Sequence, residues 1–353
     1  MAYTTINKST DHFNTKLFTG TGSAPNAQTG VGFQPDFLWI KTRSTGNDHR
    51  IHSPLLTGSD YFLQTNSANA QSQNTNCVTS FDTDGFTLGN TDAGWNGSGV
   101  TYVSWNWKAN GAGSSNSDGS ITSTVSANTT SGFSIVKWTA SGSNSTIGHG
   151  LGAAPRVILA KALGASQNWR CYFKAANDER SDVNGYIPIN TTEALSSSST
   201  VWQGTAPTTS IFSVGTAFTS GDYIAYCFAE KTGFSKFGQY AGNSNADGAF
   251  IYTGFKPAFV LGKKYYGTTG GSGGGDNWEV HDNKRNTFNP VDKRLFPNTS
   301  DSTNTRVNMD FLSNGFKIRT ASGEWNEASN NYIYMAFAEA PLVGTNNVPC
   351  TAR

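Results

Sequence analysis

Apolar positions along this chain fall in short runs separated by stretches rich in Gly, Ser, Asn and Thr. No long segment keeps apolar residues at i, i+3, i+4 and i+7, so the pattern predicts strands and few helices. The runs also recur in a fixed script. Pro35 is followed by Phe37-Leu38-Trp39-Ile40 and Lys41, Pro155 by Val157-Ile158-Leu159-Ala160 and Lys161, and Pro257 by Phe259-Val260-Leu261 and Lys263. In each copy a proline opens the strand, where a missing N–H does least harm. A closing strand recurs later as Tyr102-Val103-Ser104-Trp105-Asn106-Trp107, Tyr223-Ile224-Ala225-Tyr226-Cys227-Phe228 and Tyr332-Ile333-Tyr334-Met335-Ala336-Phe337. Tyr102 follows Pro35 by 67 residues, Tyr223 follows Pro155 by 68, and Tyr332 follows Pro257 by 75.

The intervening segments also correspond. An opening strand precedes each proline: Lys16-Leu17-Phe18-Thr19, Ser134-Ile135-Val136-Lys137-Trp138 and Phe237-Gly238-Gln239-Tyr240. A strand begun by Asn follows it, at Asn47 to Ile51, Asn168 to Tyr172 and Asn277 to His281. A variable middle then carries Tyr61-Phe62-Leu63, Tyr186 to Asn190 and Arg294 to Asn298. A threefold internal repeat of about 100 residues per unit governs the fold prediction. The expected fold is all-β, with three tandem β-sandwich repeats of jelly-roll-like build. The expected organisation is a leader or attachment segment (1–14), repeat one (15–109), a flexible Gly/Ser/Asn/Thr connector (110–131), repeat two (132–230), repeat three (231–341) and a polar tail (342–353). The few residues between repeats two and three predict that those units pack closely.

Composition narrows the function classes. Charged residues make up 14% and the net charge is +1, with no run of Lys or Arg, which argues against nucleic-acid binding. No stretch reaches the roughly 20 apolar residues of a membrane helix, and the first residues show no basic-then-apolar signal pattern. No membrane insertion is expected. The four cysteines have no disulfide or metal spacing and read as free thiols of a protein made in a reducing cytoplasm. No cofactor and no metal are expected.

Candidate chemistry is sparse. Asp82-Thr83-Asp84-Gly85 begins like a calcium loop but lacks the later ligands, and Asn314-Gly315 stands at the same place in repeat three, so both read as hairpin turns. His49 and His52 lie three apart on a strand and face opposite sides, which makes them a poor metal pair. Gly270-Gly271-Ser272-Gly273-Gly274-Gly275 lacks the Lys-Ser/Thr and the helix of a phosphate loop and reads as a loop insertion. Glu324, Glu327 and Asp310 are the acids a glycosidase would need. Repeat one offers no equivalent pair. Lys41, Lys161 and Lys263, common to all three units, read as structural.

Loop aromatics are the better candidates. Trp95-Asn96 and Trp325-Asn326 each precede the closing-strand Tyr by seven residues, in polar turns. An exposed Trp offers a flat face to sugar C–H groups, and Asn a donor and an acceptor to hydroxyls. The competing reading folds each Trp back as a lid on its own sandwich. Trp202, without an obvious counterpart, joins these as a third candidate for glycan contact.

Residues 118–128 (Asp118-Gly119-Ser120-Ile121-Thr122-Ser123-Thr124-Val125-Ser126-Ala127-Asn128), with Gly132-Phe133-Ser134-Ile135-Val136 and Gly148-His149-Gly150-Leu151-Gly152, resemble a repeated domain of tailed bacteriophages. That domain is common in structural and tail-fibre-like proteins of aquatic phages, cyanophages among them. The opening Tyr3-Thr4-Thr5-Ile6-Asn7-Lys8 through Phe13-Asn14-Thr15 is similar to the start of many such proteins. The resemblance covers most of the chain and brings no catalytic residue with it. Repeat three departs from it by lacking the Gly-His-Gly-Leu-Gly segment. The resemblance implies a non-enzymatic protein of the virion exterior, made in the host cytoplasm. Its expected role is a tail-fibre or receptor-binding component that touches host surface glycans. The alternative is a capsid decoration or head-fibre protein, with a polysaccharide depolymerase as the remote third. Expected partners are other virion proteins, reached through the first residues (Tyr3, Ile6, Phe13), and further copies of the chain in a trimer. Three pseudo-equivalent units would also suit a threefold site.

Overall fold

The computed structural model describes residues 3–267, 276–344 and 349–350. It is 44% strand and 4% helix, with every ladder between named strands antiparallel, which makes the protein all-β. The glycine run at 270–275 lies outside the described residues.

The threefold script becomes a threefold sheet order. In the first unit the opening strand Phe13–Thr19 pairs with the closing strand Thr101–Trp107, which pairs with the proline strand Phe37–Thr42, which pairs with Arg50–His52. The second unit repeats this with Phe133–Ala140, Gly221–Phe228, Val157–Ala162 and Arg170–Phe173. The third does so with Ser235–Ala241, Asn330–Pro341, Phe255–Gly267 and Glu279–Asp282. A smaller sheet accompanies each: Asn26–Thr29, Gly85–Leu88 and Ser80–Asp82 in the first, Ser145–Gly148 and Ile211–Val214 in the second, and four strands between Phe250 and Ile318 in the third.

Two segments depart from the expected organisation. Residues 110–131 are not a flexible connector: Ser114–Asn116 and Ser123–Asn128 extend the edge of the second main sheet. Their Gly- and Ser-rich composition hides a short alternation, since Ser123 and Val125 are buried and Thr124 between them is exposed. The first residues are not a free attachment arm either. Phe13 and Ile6 are buried in the central core, Thr4 Oγ1 donates to Thr232 O at 2.7 Å, and Tyr3 OH donates to Gly254 O at 2.7 Å. The start of the chain straps the first unit to the third. The described part of the tail folds back as well, with Cys350 N donating to Leu342 O at 2.9 Å.

Each main sheet buries both faces, which explains why the proline strands read as unbroken apolar runs. Alternate residues divide cleanly. Val136, Trp138, Ile158, Ala160, Tyr223 and Ala225 face their own small sheet, in a cluster with Ile147, Phe212 and Val214. Ile135, Val157, Leu159, Ile224, Tyr226 and Phe228 face the other way, into one cluster with residues of the other two units. At its centre the last aromatics of the three closing strands touch one another. Trp107 lies 6.3 Å from Phe228 and 5.4 Å from Phe337, and Phe228 lies 5.9 Å from Phe337, between ring centroids. The units are therefore lobes around a shared core.

Backbone bonds close the lobes head to tail. Leu163 O in lobe two accepts from Gln71 N in lobe one at 2.9 Å. Tyr265 O in lobe three accepts from Leu195 N in lobe two at 3.0 Å, and Arg43 O in lobe one accepts from Thr303 N in lobe three at 2.9 Å. These three acceptors each lie two residues beyond the shared lysine. Indoles add to the closure: Trp169 Nε1 donates to Gln64 O and Trp278 Nε1 to Pro188 O, both at 2.9 Å. His49 stands at the same position in lobe one. Its ring approaches the Phe296 backbone, but Nε2 lacks a well-formed hydrogen bond. Such a heterologous interface, repeated three times, closes a ring within one chain.

The shared lysines sit at these seams. Each is on the core-facing side of its proline strand and no more than 1% exposed. Lys41 Nζ donates to Thr42 O and Ser300 O, Lys161 Nζ to Ala162 O and Ala165 O, and Lys263 Nζ to Thr192 O and Asp276 O. Burial pushes Lys41 and Lys263 down to about 7 and Lys161 down to about 8. Between those values and the ordinary 10.5 the unfolded chain holds more protons than the folded one. Stability from these groups is therefore complete above the unfolded value and is lost as pH falls through the folded values. Melting temperature is expected to rise from neutral pH toward mildly alkaline pH, and to rise less in the triple variant Lys41→Met, Lys161→Met, Lys263→Met. Equal rises in both chains would exclude the lysines as the cause.

The shared core makes a second prediction. Calorimetry of the whole chain is expected to give one transition, and Trp107→Ala is expected to destabilise all three lobes together by about 3–5 kcal/mol. Three separable transitions would mean that the lobes fold independently.

Candidate functional site

The loop tryptophans do not present a face to solvent. Trp95, Trp202 and Trp325 are 1%, 2% and 0% exposed, so the glycan-contact expectation for them is corrected and the fold-back reading holds. The physical reason is a partner under each ring. Trp95 Nε1 donates to His52 Nε2 at 2.9 Å, and Trp325 Nε1 donates to Glu279 Oε2 at 2.7 Å. Trp202 has a counterpart after all. Its ring meets Tyr172 edge-on at 5.8 Å, as Trp95 meets His52 at 6.1 Å and Trp325 meets His281 at 5.6 Å. His52, Tyr172 and His281 occupy one repeat position, so three indoles cap three equivalent strands, Trp95 and Trp325 from equivalent loops and Trp202 from a different segment.

The paired asparagines are equally committed. Asn96 and Asn326 are 0% exposed. Asn96 Nδ2 donates to Ser23 O and Asn90 O, and its Oδ1 accepts from Thr21 N at 2.9 Å. Asn326 Nδ2 donates to Asn245 O and Thr320 O, and its Oδ1 accepts from Asn243 N at 3.0 Å. In both lobes the closing-strand Tyr locks the same loop: Tyr102 OH donates to Ala93 O, and Tyr332 OH to Gly323 O. Trp-Asn thus recurs because it builds a loop. Asp84 forms the expected hairpin turn; hydrogen bonds from Gly30 N and Gly32 N hold its carboxyl below the ordinary value.

The acids of lobe three are neutralised. Glu324 takes Arg306 at 2.8 Å, Asp310 takes Arg319 at 3.3 Å, and Glu327 lies 3.8 Å from Lys264. Burial alone would raise Glu324, but Ser322, Arg306 and Arg294 outweigh it and hold it below the ordinary value. Beneath them Glu279 is saturated: Oε1 accepts from Arg294 at 2.7 Å, and Oε2 from Asn308 and Trp325, each at 2.7 Å. Glu324, held low, is the opposite of the raised, protonated carboxyl a general acid requires.

One repeat position does separate the lobes. Arg50, Arg170 and Glu279 are equivalent, each following His49, Trp169 or Trp278. In lobe one the Arg50 guanidinium lies 4.1 Å from the Trp95 ring, and the side chain is sealed beneath the 90–97 loop. In lobe three Glu279 is 1% exposed under Trp325. In lobe two the position opens into a groove of about 320 Å³, walled by Gln167, Asn168, Tyr186, Glu193, Ser198 and Thr200. Arg170 NH1 donates to Gln167 Oε1 at 2.7 Å, and its guanidinium lies over Phe218 at 5.3 Å. Lobe two has no Trp-Asn pair seven residues before Tyr223; its indole comes from the short helix Ser199–Trp202, N-capped by Ser198, and Ser198 and Thr200 line the groove. A position-by-position comparison of the three repeats would have marked Arg170; looking for exposed Trp did not.

A second cleft, of about 430 Å³, lies where lobes two and three meet the start of the chain, and includes Tyr3, Arg156, Glu230, Lys236 and Tyr252.

The chain matches a family described as a domain of unknown function (DUF7483) over residues 8–341, and it belongs to that family. One match spans all three lobes, as the shared core does. No curated protein and no solved structure matches it. Among the described residues no helix is long and apolar enough to cross a membrane.

All nine tryptophans of the chain are buried. Fluorescence emission is therefore expected to be that of buried indoles and to resist acrylamide quenching until the protein unfolds. A readily quenched fraction in the native state would return at least one Trp to the surface.

Proposed function

We propose that this protein is a non-enzymatic component of a bacteriophage virion exterior, a tail-fibre or other receptor-binding part, and that the lobe-two groove contacts host surface glycan. The observation that carries the reading is the opening at Arg170 of a position sealed in the other two lobes. Guanidinium, amide and hydroxyl donors around an aromatic wall suit sugar hydroxyls. In this reading each lobe is a jelly-roll-like sandwich, and the ring stands on the particle with other virion proteins as neighbours. The phage-like residues 118–152 contribute to lobe two, the lobe with the groove.

A second reading is favoured by the pseudo-threefold ring. A body with three similar faces also suits a threefold or quasi-threefold site on a capsid, as a decoration protein. Antibody-gold labelling of intact virions separates the two. Label on the tail or its fibres is expected; label spread over the head would transfer the protein to decoration, and bare particles would remove it from the exterior. On a glycan array of host envelope saccharides, Arg170→Ala is expected to weaken binding by about tenfold or more, the worth of one charge-assisted hydrogen bond. Unchanged binding would exclude the groove.

A further inference from the structure

We infer that the cleft between lobes two and three binds an acidic sugar, a hexuronate unit of a surface polysaccharide. The inference rests on the glycan-contact reading and adds to it a site of different chemistry. Its volume of about 430 Å³ lies in the range of small-molecule sites.

The charges are arranged in layers. Glu230 lies at the bottom, its side chain 17% exposed, and its Oε1 accepts from Phe237 N at 2.8 Å. Its Oε2 meets Arg156 Nε at 3.0 Å and Lys236 Nζ at 3.5 Å. The two cations are more exposed, 38% and 42%. Two cations over one carboxylate leave an excess of one positive charge at the rim. Arg156 meets Glu230 through Nε, which leaves its two terminal amino groups for a carboxylate, the anion a guanidinium fork fits best.

The aromatic wall is placed for stacking. Tyr252 is 53% exposed, on the edge strand Phe250–Tyr252. Phe250, two residues earlier and 46% exposed, continues the same face. Tyr3 and Tyr252 converge on Gly254: a Cβ there would lie 2.5 Å from the Tyr3 hydroxyl and 3.6 Å from that of Tyr252. The strap that fixes Tyr3 thus fixes one side of the cleft. An exposed ring beside a fork of cations matches a pyranose whose C–H face stacks while its carboxylate is held. A phosphate backbone is a poorer match, because no basic stripe extends from the cleft and the whole chain carries only +1.

The test uses the full chain, trigalacturonate as the probe and its carboxyl-reduced form as the control, in titration calorimetry. Trigalacturonate is expected to bind, to weaken at high salt, and to lose about tenfold or more in Tyr252→Ala and in Arg156→Gln. The reduced form is expected to bind about tenfold or more weakly. Arg156→Gln also breaks the ion pair to Glu230, so Tyr252→Ala, at an exposed ring, keeps the test independent of folding. No binding of trigalacturonate, or equal binding of both forms, overturns the inference. Binding lost in Arg170→Ala and kept in Tyr252→Ala overturns this cleft and leaves the proposed function standing. Loss in Tyr252→Ala together with unlabelled virions keeps the cleft and removes the virion role.

Discussion

The contact on which the rest of the structure depends is the triangle of Trp107, Phe228 and Phe337. Each is the last aromatic of a closing strand, and each closing strand lies between the opening strand and the proline strand of its main sheet. A sheet with one covered face can end at water; these sheets carry large apolar side chains on both. The small sheet covers one face, and only two more lobes can cover the other. From this follow the head-to-tail backbone bonds, the indole-to-carbonyl contacts and the buried lysines, all of which lie where one lobe seats on the next.

The repeats are alike in what builds the ring and different in how each outer surface is finished. Asn66, Asn190 and Asn298 all accept from the backbone N–H at the start of the neighbouring strand, of His49, Trp169 and Trp278. The same three strands then carry Arg50, Arg170 and Glu279, and there the likeness ends. Lobe one covers its arginine with an indole, lobe three turns the charge over and satisfies it with Arg294 and Asn308, and lobe two leaves it at a groove. Removing a neighbour from an otherwise closed position is a small change in sequence with a large effect on access.

Strand positions, the proline and lysine landmarks and the all-β class were legible because side-chain alternation and repetition are properties of the chain itself. What was hidden is tertiary. The strands at Ser114–Asn116 and Ser123–Asn128 have the composition of a linker and become strands because an open sheet edge lies beside them. The Trp-Asn pairs look solvent-facing because their neighbours in sequence are polar; their neighbours in space are His52, Glu279 and the loop backbone. The sparse apolar residues at the start of the chain resemble an attachment arm, but Phe13 lies 5.3 Å from Phe337 in the common core. Sharing of a core between repeats leaves no mark in any one repeat, since each proline strand reads the same whether its second face meets a partner chain or a partner lobe.

Joining three lobes in one polypeptide also decides valency. A ring of three separate identical chains would carry every groove in triplicate, and any multivalent grip would come with assembly. Here Arg170 and Tyr252 each occur on one lobe, so each ring offers one copy of each groove. Under the proposed function, avidity for a repetitive surface would come from the number of rings mounted together, at an effective concentration set by their spacing.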